Sequence, residues 1–407
     1  MPSFGDAEPR PFDVVLWGAT GFTGRHLVQA FDESAPAGLR WAIGGRDEER
    51  LEALRQGLRH EVGIVLGDAL DADSMRALAH RTNVVVSTVG PYARYGTPLV
   101  AACVEAGTHY ADVTGETLWM RSSIDAFHEL ARETGSRIVH ACGFDSVPSD
   151  LGLWSLQRTA IERFGAPCDT VDHVFGPLEG GLGGGTVASA FAVLETAATD
   201  PYAREALTDP NLLAPGATAA PSVDDPWWPQ RDRALGCWTA PFAMAAVNTR
   251  VVRRSAMLLD APWRETARYR ERWRAPHWPA ALGVGIATRA APVALAWPPL
   301  RRWLRARLPA AGQGPSDTVL ARGAFRSALI GRYDDRDETL TVTISADRDP
   351  GYGATVRMLR EVGLALADGT LDAPGGVHTP ASVGAERLLA RMPQAGVLFD
   401  VVGAPNA

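Results

Sequence analysis

The chain has 407 residues, 46% hydrophobic and 21% charged, with a formal net charge of −7 at pH 7. This is the balance of a globular protein of two or three domains, and its charge opposes bulk attraction to nucleic acid, which is not expected as a partner. All 40 basic residues are arginine, so Schiff-base chemistry and the Tyr-x-x-x-Lys catalysis of short-chain dehydrogenases are excluded.

The start, "MPSFGDAEPRPF", is polar and carries prolines, and is read as a short disordered lead-in without a signal-peptide pattern. Phe12–Trp17, "FDVVLW", reads as a strand, and "RHLVQAF" after Gly24 as a helix. "LRWAIGG" is a second strand, "DEERLEALRQGL" a helix with acids in its first turn, "GIVLGDA" a strand and "DADSMRALAH" a capped helix. "NVVVSTVG" is a strand continuous enough to be buried on both faces. "TPLVAACVEAG", "HYADV", "SSIDAFHELARETG" and "SRIVHACG" continue the alternation to about Gly143, which predicts a doubly wound parallel α/β sheet.

The pattern then changes. "DTVDHVFG" reads as a strand, followed by glycine-rich "EGGLGGGTVASAFAVLETAATD", and Pro210–Pro229 reads as a surface excursion. "GAFRSALIGRYDDRDETLTVTISAD" predicts two strands, "GATVRMLREVGLALADG" a helix, and the tail a helix and then a strand, so the second half is α+β. Trp278–Leu300 is apolar but holds four prolines and Arg289. A transmembrane helix wants roughly 20 unbroken apolar residues. Two readings stand for it: a membrane-surface contact, helped by "RRWLRARL" with Trp303, or a buried hairpin of two helices broken at the prolines. Cys103, Cys142, Cys168 and Cys237 fall in no metal-ligand spacing, so no metal is expected and a reducing cytoplasm fits.

The strongest chemical signal is "WGATGFTG". Gly18, Gly21 and Gly24 follow a strand and open a helix, the order in which backbone N–H groups and a helix N-terminus hold a phosphate. Gly18 makes the turn, Gly21 admits the pyrophosphate, and Gly24 lets the helix pack on the strand. Thr20 and Thr23 add hydroxyl donors beside Phe22. The second strand ends in Gly45 and Arg46, where an acid would select NAD; a guanidinium suits the 2′-phosphate of NADPH, the alternative being a solvated arginine. Asp47 is placed to open the next helix. The expected cofactor set is completed by Asp68, Thr88, Gly90 and Pro91, and Tyr92, Arg94 and Tyr95 would project over the cleft. Asp112, Glu116, Asp145, Ser146 and Asp150 gather at the same sheet edge, the two former read as organising loops.

"GATGFTG", "GGR", "TVGPYARYGTPLVAACVEAGTHYADVTGE" and "ACGFDSVPSDLG", with "GGTVASA", "DPYAREALTDP", "NTRVVRRS", "GQGPS" and "TPAS", resemble the saccharopine dehydrogenase-like oxidoreductases, and among them the trans-acting enoyl reductases of actinobacteria. The resemblance implies a Rossmann NADP-binding domain over residues 1–150 and an α+β substrate domain over 151–370. A segment 371–407 would pack its helix back on the first domain. It implies an NADPH-dependent reduction of an α,β-unsaturated acyl thioester, held on a carrier protein and acting in trans with a polyketide synthase of lipid biosynthesis. A cytoplasmic protein, peripheral at the inner membrane face and able to form a homodimer, would fit. Tyr92 or Tyr95 would donate a proton and Arg94 would stabilise the enolate. Two rivals remain: a saccharopine-type C–N reductase, needing an arginine-rich pocket, and a non-catalytic NADPH-binding scaffold.

Overall fold

The computed structural model describes residues 10–180, 189, 193, 195–197, 200–216, 227–233, 235–307 and 314–402. Most of the lead-in, the glycine-rich stretch after Gly180, the middle of the Pro210–Pro229 excursion and the start of "GQGPS" lie outside these residues.

The first sheet is built as a parallel α/β alternation. β1 (Phe12–Trp17), α1 (Phe22–Ser34), β2 (Trp41–Gly45), α2 (Glu48–Gln56), β3 (Gly63–Leu66), α3 (Ala72–Ala79) and β4 (Thr82–Ser87) are followed by α4 (Tyr92–Tyr95), α5 (Thr97–Glu105), β5 (His109–Asp112), α6 (Thr117–Thr134) and β6 (Arg137–Val139). Val14 to Trp17 and Val84 to Val86 are buried because helices cover both faces, which is why these strands read as unbroken apolar runs. A seventh strand, β13 (Gly376–His378), comes from far along the chain and pairs with β6, so the order is β13-β6-β5-β4-β1-β2-β3. Chain direction across the sheet reverses at β1 and β4, and the open crevice of such a fold lies at their C-terminal ends.

α7 (Val147–Phe164) carries the chain to a second sheet. Its strands are β7 (Thr170–Glu179), β8 (Gln230–Asp232), β9 (Cys237–Pro241), β10 (Arg268–Ala275), β11 (Ala324–Arg332), β12 (Thr339–Ala346) and β14 (Val397–Val402), in the order β14-β12-β11-β7-β10-β9-β8. It is mixed: β7 and β10 run parallel, while β11 and β12 form an antiparallel pair from Phe325↔Ala346 to Arg332↔Thr339. Leu340, Val342, Ile344 and Ala346 alternate inward along β12, as a pleat requires.

The helices of this half are α8 (Pro201–Ala206), α9 (Ala245–Leu258), α10 (Trp278–Ala296), α11 (Pro298–Arg305), α12 (Asp317–Arg322), α13 (Thr355–Ala367) and α14 (Pro380–Arg391). α13 lies against α1 and β4 and is buried along most of its length. The last segment thus serves both sheets, β13 extending the first and β14 edging the second. One apolar cluster runs from Val14 and Leu16, through Leu151 of α7 and Leu359 and Val362 of α13, to Leu329 and Val342 of the second sheet.

Trp278–Leu300 forms α10 and opens α11, with the break at Trp297 and not at Pro292. Trp278, Ile286, Trp297 and Trp303 stand exposed, so among the described side chains this segment does not have the burial that the hairpin reading, one of the two, requires. Among the described residues no helix is long and apolar enough to cross a membrane.

Candidate functional site

The glycine turn is held by its neighbours. Gly18 has φ +90°, and a Cβ there would come 2.6 Å from Val89 Cγ2 in the loop after β4. The amides of Gly18 and Ala19 each donate to Gly44 O over 3.0 Å, which ties the turn to β2. Gly24 is forced by a closer contact still: a Cβ there would lie 2.0 Å from Gly18 O. α1 begins at Gly21, whose N-cap position supplies no side-chain hydrogen bond to the first turn. The N-terminal N–H groups of α1 are therefore presented at the crevice without a competing side chain, the condition for binding an anion. These residues fit a dinucleotide pyrophosphate. Phe22 turns elsewhere: its ring meets Tyr352 edge-on at 4.8 Å.

At the end of β2 the side chains divide their roles. Asp47 caps α2, its Oδ1 accepting from Arg50 N (3.1 Å), as its position predicts. Arg46 is exposed and has no ion pair among the described residues. Asp68 is exposed just past β3, with Oδ1 accepting from Leu70 N (3.0 Å). Thr88 donates from both N and Oγ1 to Trp17 O, at 3.0 and 3.3 Å, which closes the β4 loop onto the glycine turn.

Beyond the cis Gly90–Pro91 bond, α4 sits on a buried carboxylate. Glu116 accepts from Tyr92 N (2.9 Å), Ala93 N (2.8 Å) and Ser189 Oγ (2.7 Å). Asp112 accepts from Thr114 N (3.0 Å) and Ala141 N (3.2 Å) and faces His140 Nδ1 at 2.8 Å. Both carboxylates thus shape loops. His140, whose other nitrogen meets Ser123 Oγ at 3.0 Å, escaped the sequence reading. Its only signal was a lone histidine at the end of a buried strand.

Tyr92 is buried and stacked on Trp119 at 5.4 Å. Its hydroxyl donates to Ser87 O (3.2 Å) and accepts from Val113 N (3.4 Å). Burial, with Asp112 nearby, pushes its phenol well above the ordinary tyrosine range. Arg94 is exposed, its Cζ 5.1 Å from the Tyr95 ring centre. Asp150 lies deeper: Ser255 Oγ and Ala381 N (2.7 Å) donate to it, and burial pushes it up to about 7 against those bonds.

Residues 14–139 match the Saccharopine dehydrogenase NADP binding domain. A Mycobacterium tuberculosis protein provisionally named a trans-acting enoyl reductase is 42% identical over 419 positions, covering 96% of this chain and 97% of its own. The chain belongs to the saccharopine dehydrogenase-like family. Trans-acting enoyl reductases of Mycobacterium bovis and Mycobacterium leprae are 38% and 37% identical, each covering 96% of this chain and 97% and 98% of their own. The fold is also that of an apo saccharopine dehydrogenase (L-Glu forming) of Saccharomyces cerevisiae, at TM-score 0.54 and 13% identity, over 96% of this chain and 99% of that one. As in this oxidoreductase family, the NADP-binding domain is the first sheet with its glycine turn.

Proposed function

We propose that this family member is an NADPH-dependent reductase of α,β-unsaturated acyl thioesters, working in trans with a polyketide or lipid synthase on a carrier-held chain. The relatives' names point to this reaction, and one observation favours it over the C–N rival. An imine between amino acids carries several carboxylates and needs free arginines. The arginines of "NTRVVRRS" in α9 are taken up by the fold. Arg250 donates to Leu207 O and Asp209 O, Arg254 to Leu213 O and Val377 O, and Arg253 to Asn211 Oδ1. Beside them Met244 and Val247 stand near Gly115 at the sheet edge, an apolar wall that suits an acyl chain.

Bound NADPH supplies a hydride to the β-carbon. The amides around Gly18, Gly21 and Gly24 and the N-terminus of α1 hold its pyrophosphate, with Thr20 and Thr23 adjacent, and Arg46 takes the 2′-phosphate. Asp68 borders the adenosine end, and Thr88, Gly90 and Pro91 the nicotinamide end. As charge develops on the thioester oxygen, Arg94 stabilises it, with the Tyr95 hydroxyl as a second donor. Tyr92 positions the loop, because its hydroxyl is bonded to backbone.

The outer surface fits a peripheral role at the inner membrane face of the cytoplasm. No acidic residue occurs between Glu271 and Asp317, whereas Arg289, Arg301, Arg302, Arg305 and Arg307 do. Exposed Trp297 and Trp303 accompany them. A homodimer remains part of the proposal through the resemblance alone.

The test is NADPH oxidation by purified protein on a long-chain trans-2-enoyl thioester, beside saccharopine-type imine precursors and NADH. Turnover on the enoyl thioester with NADPH preferred supports the reading. Turnover on the imine replaces it, and tight NADPH binding without oxidation on the same thioester presented on a carrier protein leaves a scaffold.

A further inference from the structure

Asp145 stands between β6 and α7, and its two neighbours are anchored. Phe144 N donates to Thr355 Oγ1 (3.0 Å), and Ser146 Oγ donates to Asn248 Oδ1 (3.2 Å). Asn248 in turn donates to buried Glu271 (2.9 Å), which also accepts from Ser149 Oγ (2.5 Å) and Tyr269 OH (2.7 Å). The loop is therefore fixed by α13 on one side and α9 on the other. Its central carboxyl is treated differently: among the described residues it has no hydrogen-bond or ion-pair partner, and burial weakens it as an acid, pushing its pKa up to about 6.

That carboxyl points to the sheet edge where the substrate would lie. Its Oδ2 is 3.9 Å from the place a Cβ on Gly115 would occupy, and Val247 Cγ2 (3.9 Å) and Met244 Cε (4.0 Å) meet the same place. Gly115, in the loop after β5, thus has the Asp145 carboxyl and the Val247 and Met244 side chains as neighbours around a methyl-sized space. The other wall is Tyr352, which rests on Phe22 of the glycine turn and whose phenol feels the Asp145 charge. Among the described residues, Asp349 also lies near Tyr352. Asp112 and Glu116 of the β5 loop already hold N–H donors, Tyr352 comes from the Pro350–Ala354 turn, and α9 offers neutral Asn248 with Val247 beside it.

We propose that Asp145 is the general acid that protonates the α-carbon of the substrate, an assignment that rests on the enoyl-thioester reading above. Hydride addition forms a C–H bond at the β-carbon and moves the π pair onto the α-carbon and thioester oxygen as an enolate. The O–H bond of Asp145 then breaks, its proton forms the C–H bond at the α-carbon, and the carboxylate regains a proton from solvent. In its protonated form this carboxyl approaches an enolate without charge repulsion, and an acid that titrates near working pH is the efficient donor.

The experiment compares wild type, Asp145→Asn and Asp145→Glu on a trans-2-enoyl thioester with NADPH. It reads kcat against pH, deuterium incorporated at the α-carbon in D2O, and NADPH affinity by fluorescence titration. Because the acid form is required, wild-type kcat falls as pH rises through the Asp145 pKa. The expected result for Asp145→Asn is a kcat lower by ~100-fold, loss of that pH limb and unchanged NADPH affinity, with partial recovery in Asp145→Glu. Wild-type turnover with Asp145→Asn keeping both its kcat and the limb would overturn the assignment alone. Absence of enoyl turnover in wild type would overturn the reaction reading and the assignment with it.

Discussion

The glycine turn makes a prediction in which stability and binding separate. Gly24→Ala places a Cβ 2.0 Å from Gly18 O, 2.8 Å from Gly18 C and 3.0 Å from Ala19 Cα. Those atoms are backbone, so α1 must move away from β1 by about 1 Å to restore a contact near 3 Å. Overpacking of this kind costs ~1–3 kcal/mol, a fall of about 1–4 °C in Tm for a chain of this length. Gly21→Ala is milder, since its Cβ would sit 3.2 Å from the same oxygen. Its φ of −70° and ψ of 168° also admit an L side chain. The entropy removed from the unfolded chain, ~0.4–1 kcal/mol, opposes the poorer N-cap, so stability stays within ~1 kcal/mol of wild type. The added methyl still stands where a pyrophosphate approaches. The expected NADPH Kd is at least ~10-fold weaker, or ~1.4 kcal/mol. Differential scanning fluorimetry and titration of nicotinamide fluorescence measure the two effects. Gly21→Ala binding NADPH as wild type does would refute the cradle, and an unchanged Tm in Gly24→Ala would refute the packing.

Removing the Arg46 guanidinium (Arg46→Ala) should weaken NADPH binding by ~10-fold, since it deletes a charge-assisted hydrogen bond, and leave NADH binding alone; equal losses for both cofactors in parallel titrations would show that Arg46 does not read the 2′-phosphate. Tyr92→Phe orphans Ser87 O and should cost ~1–2 kcal/mol in urea unfolding while kcat stays within ~3-fold; a ~100-fold fall in kcat would return the phenol to the chemistry. Asp150 carries a pH prediction. Its carboxyl goes from 3.8 when unfolded to about 7 when folded. The folded state therefore binds the proton more tightly, and the associated stability is whole below pH 4 and lost as pH rises to 7. At ~1.4 kcal/mol per unit this loss is at most ~4 kcal/mol. Asp150→Asn, which cannot ionise, should flatten stability between pH 4 and 8 and be the more stable protein at pH 8; parallel urea-unfolding curves for the two proteins across that range would show that Asp150 does not ionise in this window.

The first sheet was legible because its strands are buried on both faces. Periodicity needs no partner to reveal "FDVVLW" or "NVVVS", and "GATGFTG" is a local motif in which Gly21 and Gly24 answer contacts with Gly18 while Gly18 answers the loop after β4. β10 was missed for the opposite reason. "RYRERWRA" shows a charge at every second position and reads as surface, yet Glu271 is buried among Ser149, Tyr269 and Asn248, and Arg270 pairs with Asp172 across the sheet. β13 is three residues long and becomes a strand only because β6 offers it an edge. Asp112 and Glu116 could be placed at the crevice from the strand that precedes them. That Tyr92 points inward could not, because the aromatic ring it stacks on, Trp119, comes from another helix.

The arginines carry the same lesson into chemistry. In the sequence, "NTRVVRRS" counts as positive charge available to an anionic substrate. In the fold, Arg254 is almost fully buried and donates to the carbonyls of Leu213 and Val377, with burial lowering it to about 10. Arg360 is buried too and donates to Ala30 O and Gln394 O while pairing with Glu361. A guanidinium has five donors in a planar fork, so neutral carbonyls from several elements can satisfy it at once, which a compact ammonium does less well. Arginine at these positions therefore joins distant segments of chain: α9 to β13, and α13 to α1. The cations the fold has taken up differ from those it leaves exposed, and among the latter are Arg25 in the first turn of α1, Arg46 after β2 and Arg94 in α4. Under the proposed reading Arg46 faces the 2′-phosphate and Arg94 the developing enolate, while Met244 and Val247 beside Gly115 offer a carboxylate no partner.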